Sequence, residues 1–87
     1  MGGGTLMVFS DLLKILVWNK GNPDPAYNSQ YIRRDCFGNL ISLSEHGNRN
    51  SVLGWEIDHI VPGGSDEIAN LRPLQWRFNA SRQDGRF

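Results

Sequence analysis

A chain of 87 residues with a single cysteine cannot use the internal disulfides and four-cysteine zinc sites that stabilise many very small domains. Cys36 has no second cysteine with which to form an internal disulfide, and it cannot build a four-cysteine zinc site. The chain is long enough for one small domain, 1–87, whose core alone would be marginal. A bound metal ion or a second copy of the chain would help such a core, and Cys36 itself is expected to be a small core residue.

The charge balance gives no overall preference for a polyanion, because nine basic side chains offset nine acidic ones. A nucleic acid would have to be held by a local cluster of basic side chains. The longest apolar stretch, Thr5–Trp18, includes Asp11 and Lys14 and is too short to span a membrane. It also lacks the basic start and the cleavage site of a secretory signal. We therefore expect an intracellular protein with no membrane partner, in the cytoplasm or the nucleus.

An amphipathic helix is expected near the start of the chain, after a flexible tail over residues 1–9. Ser10 is a good N-cap, and apolar residues then recur at helical spacing. Gly21 ends the pattern, so we expect the helix over residues 10–20, with its apolar side packed on the core. The polar side is not basic, which argues against a helix that lies on a membrane surface.

Strands are expected after this helix. Two short apolar runs, Tyr31–Phe37 and Leu40–Leu43, flank a Gly-Asn turn and indicate a β-hairpin. A third run, Trp55–Val61, indicates a strand that a Pro-Gly-Gly sequence ends. Pro73 fits the first turn of a last helix, which is expected to run to about Gln83. Helix, hairpin, strand and helix in this order predict an α+β fold with no internal domain boundary.

Side chains suited to metal-assisted chemistry collect in the second half of the chain. Asp58 offers oxygen ligands of the kind that Mg²⁺ prefers, and His59 is the residue type that gains and loses a proton near neutral pH. On the predicted last helix, Asn79 and Arg82 share one face with Gln75, and an Arg there can hold a phosphate. Apolar residues on another face are expected in the core, namely Leu71, Leu74 and Phe78.

Asp58 and His59 are neighbours, and neighbours on a straight strand point to opposite faces. They can serve one site only at a twisted strand end, where they would flank the reacting group from two sides. Pro62 and the two glycines after it put such an end close by. A neutral His beside a bound cation can then take a proton from an attacking water.

Four short motifs follow one another in this half of the chain: Asp58-His59-Ile60-Val61-Pro62, Gly63-Gly64-Ser65-Asp66, Asn70-Leu71-Arg72-Pro73-Leu74 and Asn79. The series resembles the HNH endonuclease family. That family's pattern is roughly Asp-His-hydrophobic-hydrophobic-Pro, Gly-Gly-Ser-Asp, Asn-Leu-x-Pro-Leu, and then Asn or His on a helix. The likeness is strong over residues 54–83 and looser over residues 17–54.

This resemblance implies an HNH nuclease domain of the ββα-metal type, with an added N-terminal helix and the β-hairpin, and with its core over residues 52–84. His59 would be the general base that activates water. Asp58 and Asn79 would bind one divalent cation, Mg²⁺ or Mn²⁺, in a His-Asn-Asn variant of the site. Asn70 would brace the loop through hydrogen bonds to backbone atoms. The implied activity is hydrolysis of DNA phosphodiester bonds, which leaves 5′-phosphate and 3′-hydroxyl ends.

The sequence departs from the family pattern in two places. Many members carry two Cys pairs that bind a structural zinc ion, and these pairs are missing, so no structural zinc is expected. The loop between His59 and Asn70 is shorter than usual in the family and lacks a commonly basic stretch. A nucleic-acid-binding or regulatory module of the same fold, with weak or no cleavage, is therefore the alternative function. A protein-interaction fragment is a third and weaker one.

Phosphate contacts are expected from basic side chains within and near these motifs. Arg82 shares a helix face with Asn79, and Arg33 matches a basic position of the family. Such contacts give affinity without sequence information. The candidates are Arg82, Arg33, Arg77 and Arg72. The sequence leaves open whether the chain forms a homodimer.

Overall fold

The computed structural model describes residues 11–83, with the side chains of residues 11–81, and this part of the chain has an α+β fold, as predicted. A helix over residues 11–18, named α1, is followed by one antiparallel hairpin. A second antiparallel pair then leads into another helix. The elements after α1 are β1 (Ile32–Arg34), β2 (Leu40–Ser42), β3 (Trp55–His59), β4 (Leu71–Gln75) and α2 (Trp76–Gln83).

Two single 3-10 turns complete the described elements, Leu43–Glu45 after β2 and Ile68–Asn70 before β4. The tail predicted over residues 1–9 lies outside the described residues. Neither helix within residues 11–83 has the length and apolar character needed to cross a membrane.

The core lies between α1 and the two hairpins. The indole rings of Trp18 and Trp55 meet at its centre, with ring centroids 5.3 Å apart. The helix predicted over residues 10–20 is found over residues 11–18 and ends two residues early, and it packs mainly through its last turn. Leu12 and Leu16, from the predicted apolar stripe, are 56% and 53% exposed. The buried core cluster consists of Val17, Trp18, Ile41, Trp55 and Leu71.

The second antiparallel pair contains a strand that the sequence pattern does not predict. The predicted helix start at Pro73 is wrong, because β4 runs through this residue and α2 begins only at Trp76. Leu71 and Leu74 are both buried because they lie on opposite faces of β4 and both faces are covered. The two leucines are three residues apart, which is also the spacing of apolar residues on one face of a helix, so the sequence pattern indicates a helix here. Pro73 is tolerated because β4 pairs with β3 alone among the described strands, so its missing N–H can fall on the outer edge.

This shift in the helix start changes two further predictions. Gln75 belongs to β4, not to the helix face predicted for it together with Asn79 and Arg82. Phe78, predicted in the core, is 39% exposed on α2.

β3 separates the core from a second, more polar side of the molecule. Trp55 and Ile57 face the core, and the alternate residues Glu56 and Asp58 face away from it. The helix α2 packs against this second side, where the side chain of Asn79 bonds to Glu56. The strand therefore carries apolar residues on one face and two carboxylates on the face that α2 covers.

A buried carboxylate joins the first hairpin to β4. Asp35 directly follows β1 and is 1% exposed. Its Oδ1 atom accepts hydrogen bonds from the backbone N–H groups of Phe37 and Asn39, at 2.9 and 2.8 Å. Its Oδ2 atom accepts from the Asn39 side-chain amide at 3.1 Å and from the backbone N–H of Gln75 at 3.0 Å. These four bonds hold the hairpin turn against the end of β4, where α2 begins.

Asp35→Asn is expected to lower the free energy of unfolding by about 1–3 kcal/mol, because its NH₂ group must face a backbone N–H donor whichever way the amide turns. Urea unfolding followed by tryptophan fluorescence measures the change. Asp11→Asn, at an exposed position of α1, is the matched control and is expected to change stability by less than about 0.5 kcal/mol. Equal stability of Asp35→Asn and the wild type would contradict this role for the carboxylate.

Candidate active site

Asn79, one of the two predicted metal ligands, is buried between α2 and β3 with one polar atom unpaired. The residue is 1% exposed. Its Nδ2 group donates a 2.8 Å hydrogen bond to Oε1 of Glu56, and this bond identifies the nitrogen end of the amide. The Oδ1 atom has no hydrogen-bond partner among the described residues. A buried polar group without a partner costs about 1–3 kcal/mol, so a ligand that binds Oδ1 would be stabilising.

Glu56 is held in its ionised form beside Asn79. Its carboxylate accepts two hydrogen bonds from the Arg49 guanidinium, at 2.7 and 2.8 Å, besides the one from Asn79. The Arg49 guanidinium keeps the pKa of Glu56 below its ordinary value. Burial acts in the opposite direction, and the hydrogen bond from Asn79 lowers the pKa further. A negative charge therefore stays on this face of β3 at neutral pH.

Asp58, the other predicted metal ligand, lies on the same face of β3 as Glu56 and forms an ion pair with Arg72. It is 6% exposed, and its Oδ2 atom accepts a 2.8 Å hydrogen bond from Nε of Arg72, its cross-strand neighbour. A divalent cation at Asp58 would meet this guanidinium, so the two cations would share or compete for the carboxylate. Asp58 and Glu56 together line the face of β3 to which α2 brings Asn79.

His59 lies at the end of β3, on the opposite face of the strand from Asp58. Its Nε2 atom is 2.6 Å from Oδ1 of Asp66, in the loop between β3 and β4. With Asp66 ionised, Nε2 carries the proton and Nδ1 keeps the lone pair that can accept another. The imidazole side chain is 40% exposed, which leaves it open to water and to a substrate.

Asn70 holds the loop after His59 through backbone atoms. Its Oδ1 atom accepts a hydrogen bond from the N–H of Val61 at 3.0 Å, and its Nδ2 group donates to the carbonyl of Ser65 at 2.7 Å. Its own carbonyl accepts from the N–H of Ile60 at 2.8 Å. Both ends of the side chain are thus used by the loop, in the way expected of a residue that braces it.

Two glycines let this loop close around Asn70. The backbone turns between Val61 and Gly64, whose N–H donates to the carbonyl of Val61 at 2.9 Å. Gly63 has a φ of 72°, which most other residues avoid. A Cβ atom on Gly64 would lie 2.9 Å from Nδ2 of Asn70, closer than side chains normally pack. The Gly-Gly sequence therefore serves the turn that sets the position of Asn70.

The predicted phosphate contacts differ in how far their guanidinium groups are already engaged. Arg33 donates to three backbone carbonyl oxygens, two of them just after α1, and Arg72 is bound to Asp58. Arg77 is exposed, lies 5.3 Å from the ring centroid of Trp76, and forms no ion pair with a described residue. The side chain of Arg82 lies outside the described residues. Arg77 is thus the described candidate most available to a phosphate.

Sequence patterns alone do not identify two partners in this site. Glu56 has the appearance of a surface carboxylate, although its alternation with Asp58 indicates that both share one strand face. Asp66 contacts His59 only because the loop between β3 and β4 folds back. The two residues are seven positions apart across a turn, so no helix or strand pattern predicts their contact.

Neither Cys36 nor any group of metal-binding side chains forms a further site among the described residues. The prediction that Cys36 is a core residue is wrong: Cys36 is exposed, because the preceding Asp35 points inward at this turn. No group of three or more His, Cys, Asp or Glu side chains that could hold a metal ion occurs in the described part of the chain. The predicted ligand pair supplies only one residue of those four types, Asp58.

Comparison with known proteins finds no match, whether to a family model, to a curated protein or to a solved structure. The resemblance to the HNH family therefore depends on the four short motifs and on the contacts that their residues make.

Asn70→Ala is expected to lower the free energy of unfolding by about 1–3 kcal/mol, because the backbone groups of Val61 and Ser65 lose their partners. Thermal unfolding measures the change. Asn50→Ala is the control, since the Asn50 side chain bonds to no described residue. A variant that melts like the wild type but no longer responds to divalent cations would make Asn70 a ligand instead of a brace.

Proposed function

We propose that this chain is an endonuclease that hydrolyses DNA phosphodiester bonds with the help of one divalent cation, as its resemblance to the HNH family implies. The observation that carries the proposal is the unpaired Oδ1 atom of Asn79 at the carboxylate-bearing face of β3. The Asn79 amide is bonded to the Glu56 carboxylate, on the strand face that also carries Asp58, so its oxygen lies beside another oxygen acceptor. Such a group is suited to a hard cation and not to another acceptor.

The order of the elements also supports a ββα-metal architecture. β3 and β4 form an antiparallel pair, and α2 follows β4 directly and packs on both strands. Asn79 from the helix bonds to Glu56 on the face of β3 that also carries Asp58.

Asp58 and Asn79 are the residues that would hold the cation, and their oxygens suit Mg²⁺ or Mn²⁺. Two protein ligands, one of them neutral, give weak binding that a substrate phosphate would strengthen. Glu56 keeps the Asn79 amide oriented, so that its oxygen is the atom left for the cation. When bound, the cation would stabilise negative charge on the phosphate and on the leaving 3′ oxygen.

His59 would act as the general base. Asp66 orients the imidazole through Nε2, which leaves Nδ1 to accept the proton of the attacking water. Because Asp58 and His59 lie on opposite faces of the strand end, they would approach the scissile phosphate from two sides. Asn70 would maintain this geometry by holding the loop that carries Asp66.

A nucleic-acid-binding module with weak or no cleavage is the second candidate, and the ion pair between Asp58 and Arg72 favours it. The guanidinium already neutralises the carboxylate that a cation would need. If Arg72 keeps Asp58 when DNA binds, the site holds DNA without cutting it. Cleavage that depends on the divalent cation separates the two candidates.

His59→Ala is expected to cleave supercoiled plasmid DNA about 10²–10⁴-fold more slowly in Mg²⁺, since the base acts in the chemical step. Binding of DNA in EDTA should be unchanged, because a general base contributes little to binding of the ground state. His46→Ala removes the other histidine and is expected to cleave like the wild type. Cleavage by His59→Ala at the wild-type rate, or loss of DNA binding together with cleavage, would contradict the assignment.

Asn79→Ala is expected to raise the Mg²⁺ concentration needed for half-maximal cleavage by at least about tenfold, since even the outer partners of metal sites have effects of that size. Activity that returns at high Mg²⁺ distinguishes a lost ligand from a lost fold. Ser81→Ala on the same helix is the control. An unchanged Mg²⁺ requirement in an active Asn79→Ala protein would remove Asn79 from the metal site.

A further inference from the structure

Two phenylalanine rings stack on each other at the surface of the molecule. Phe37, from the turn of the first hairpin, and Phe78, from α2, have ring centroids 5.3 Å apart and ring planes 17° apart. They are 54% and 39% exposed. The stacked pair therefore offers flat apolar surface to solvent, a feature that commonly marks a binding site.

The stacked pair adjoins the candidate active site through both of its members. The guanidinium of Arg72, which bonds to Asp58, lies 5.5 Å from the ring centroid of Phe37. Phe78 immediately precedes Asn79 on α2. The stacked pair is thus connected to both residues that we assign to the cation, to Asp58 through Arg72 and to Asn79 along α2.

An open cavity of about 470 Å³ extends from the ring of Phe78 along the molecule. Its walls come from the first hairpin, from the loop before β3 and from the start of α2, and no carboxylate is among the described residues that line it. Arg34 and Arg77 line it together with apolar side chains such as Val52. Arg34 is paired with Asp24 at 2.7 Å, whereas Arg77 forms no ion pair with a described residue.

These features together match the chemistry of a nucleotide. The volume is within the range of small-molecule sites, the apolar lining suits a base, and the guanidinium of Arg77, which forms no ion pair with a described residue, suits a phosphate.

We propose that this aromatic groove, lined by Phe78, Val52, Arg34 and Arg77, with Phe37 stacked against the ring of Phe78, binds an unpaired nucleotide of a DNA strand. The base stacks on the ring of Phe78 and the phosphate pairs with Arg77. A base inside a duplex has both faces covered by its neighbours, so only an unpaired base can stack on a protein ring. Its consequence for catalysis rests on the proposed nuclease function: DNA is cut next to an unpaired base, because Phe78 of the groove is the neighbour of Asn79 on α2.

Fluorescence anisotropy in EDTA tests the binding without any cleavage. Three labelled probes are compared: a short single-stranded DNA, the same strand in a duplex, and the same sugar–phosphate strand without bases. The strand with bases is expected to bind most tightly, because it alone can stack on the rings. Arg77→Gln is expected to weaken binding of all three probes and to reduce its salt dependence.

Variants of Phe78 identify the role of the ring. Phe78→Leu keeps an apolar side chain but loses the flat ring, and it should weaken binding of the single strand by about 5-fold to 100-fold. Binding of the strand without bases should not change, and Phe78→Trp should retain the preference for the single strand. Tyr27→Leu, at an exposed aromatic residue between α1 and β1, is the matched control.

Equal binding of the three probes, or a Phe78→Leu protein that binds the single strand like the wild type, would overturn the proposal. So would a dimer in analytical ultracentrifugation that Phe78→Leu dissociates, because the groove would then be occupied by a second copy of the chain.

Cleavage in Mg²⁺ of a duplex with a central mismatched bubble, compared with a fully paired duplex, separates this inference from the nuclease proposal. Faster cleavage beside the bubble that Phe78→Leu abolishes supports both. Equal cleavage of the two substrates supports the nuclease proposal and contradicts the proposed role of the groove in cleavage. Binding of single strands that depends on the ring, without any cleavage, supports the groove and overturns the nuclease.

Discussion

The carboxylate of Asp35 is the interaction on which the arrangement of the two hairpins depends. It accepts hydrogen bonds from the turn of the first hairpin and from Gln75, the last residue of β4. Since α2 begins at the next residue, the same carboxylate sets the start of the helix that carries Phe78 and Asn79. A fully buried charge is tolerated here because several donors replace its hydration.

The face of β3 that α2 covers collects charged pairs instead of apolar side chains. Glu56 is bound by Arg49 and by the amide of Asn79, and Asp58 is bound by Arg72. Ion pairs of this kind add little stability over apolar contacts of the same volume. The proposed site for a cation and a phosphate would use these same charged side chains.

Both arginines also lie over aromatic rings, Arg49 at 5.7 Å from the centroid of Trp76 and Arg72 at 5.5 Å from that of Phe37. Both guanidinium groups that bind the carboxylates of β3 therefore also contact an aromatic ring. Arg72 thus connects Asp58 of the candidate active site to Phe37, which stacks on Phe78 of the aromatic groove.

The sequence predicts the elements that local patterns encode. The helix ending near Gly21 and the first hairpin are found, and β3 begins at Trp55 as expected, although it stops at His59, two residues early. The divergence of neighbouring strand residues at Asp58 and His59 also follows from simple alternation.

Local sequence patterns do not predict contacts between residues that are distant in the sequence. Leu71 and Leu74 imitate a helix because both faces of β4 are buried, a fact set by α1 and α2 and not by the segment itself. Glu56 meets Asn79, and Asp66 meets His59, only after α2 and the loop have folded back. The inward turn of Asp35 and the outward turn of Cys36 likewise depend on the donors that surround Asp35.

Binding of a divalent cation at Oδ1 of Asn79 is the feature on which the proposed chemistry depends. It can be measured by nuclear magnetic resonance, with substoichiometric Mn²⁺ added to ¹⁵N-labelled protein and then displaced by excess Mg²⁺. The prediction is that the side-chain amide of Asn79 and the backbone amides of Glu56 and Asp58 broaden first and recover with Mg²⁺. Broadening confined to exposed carboxylates such as Asp66, with the Asn79 amide unaffected, would contradict a metal centre between β3 and α2.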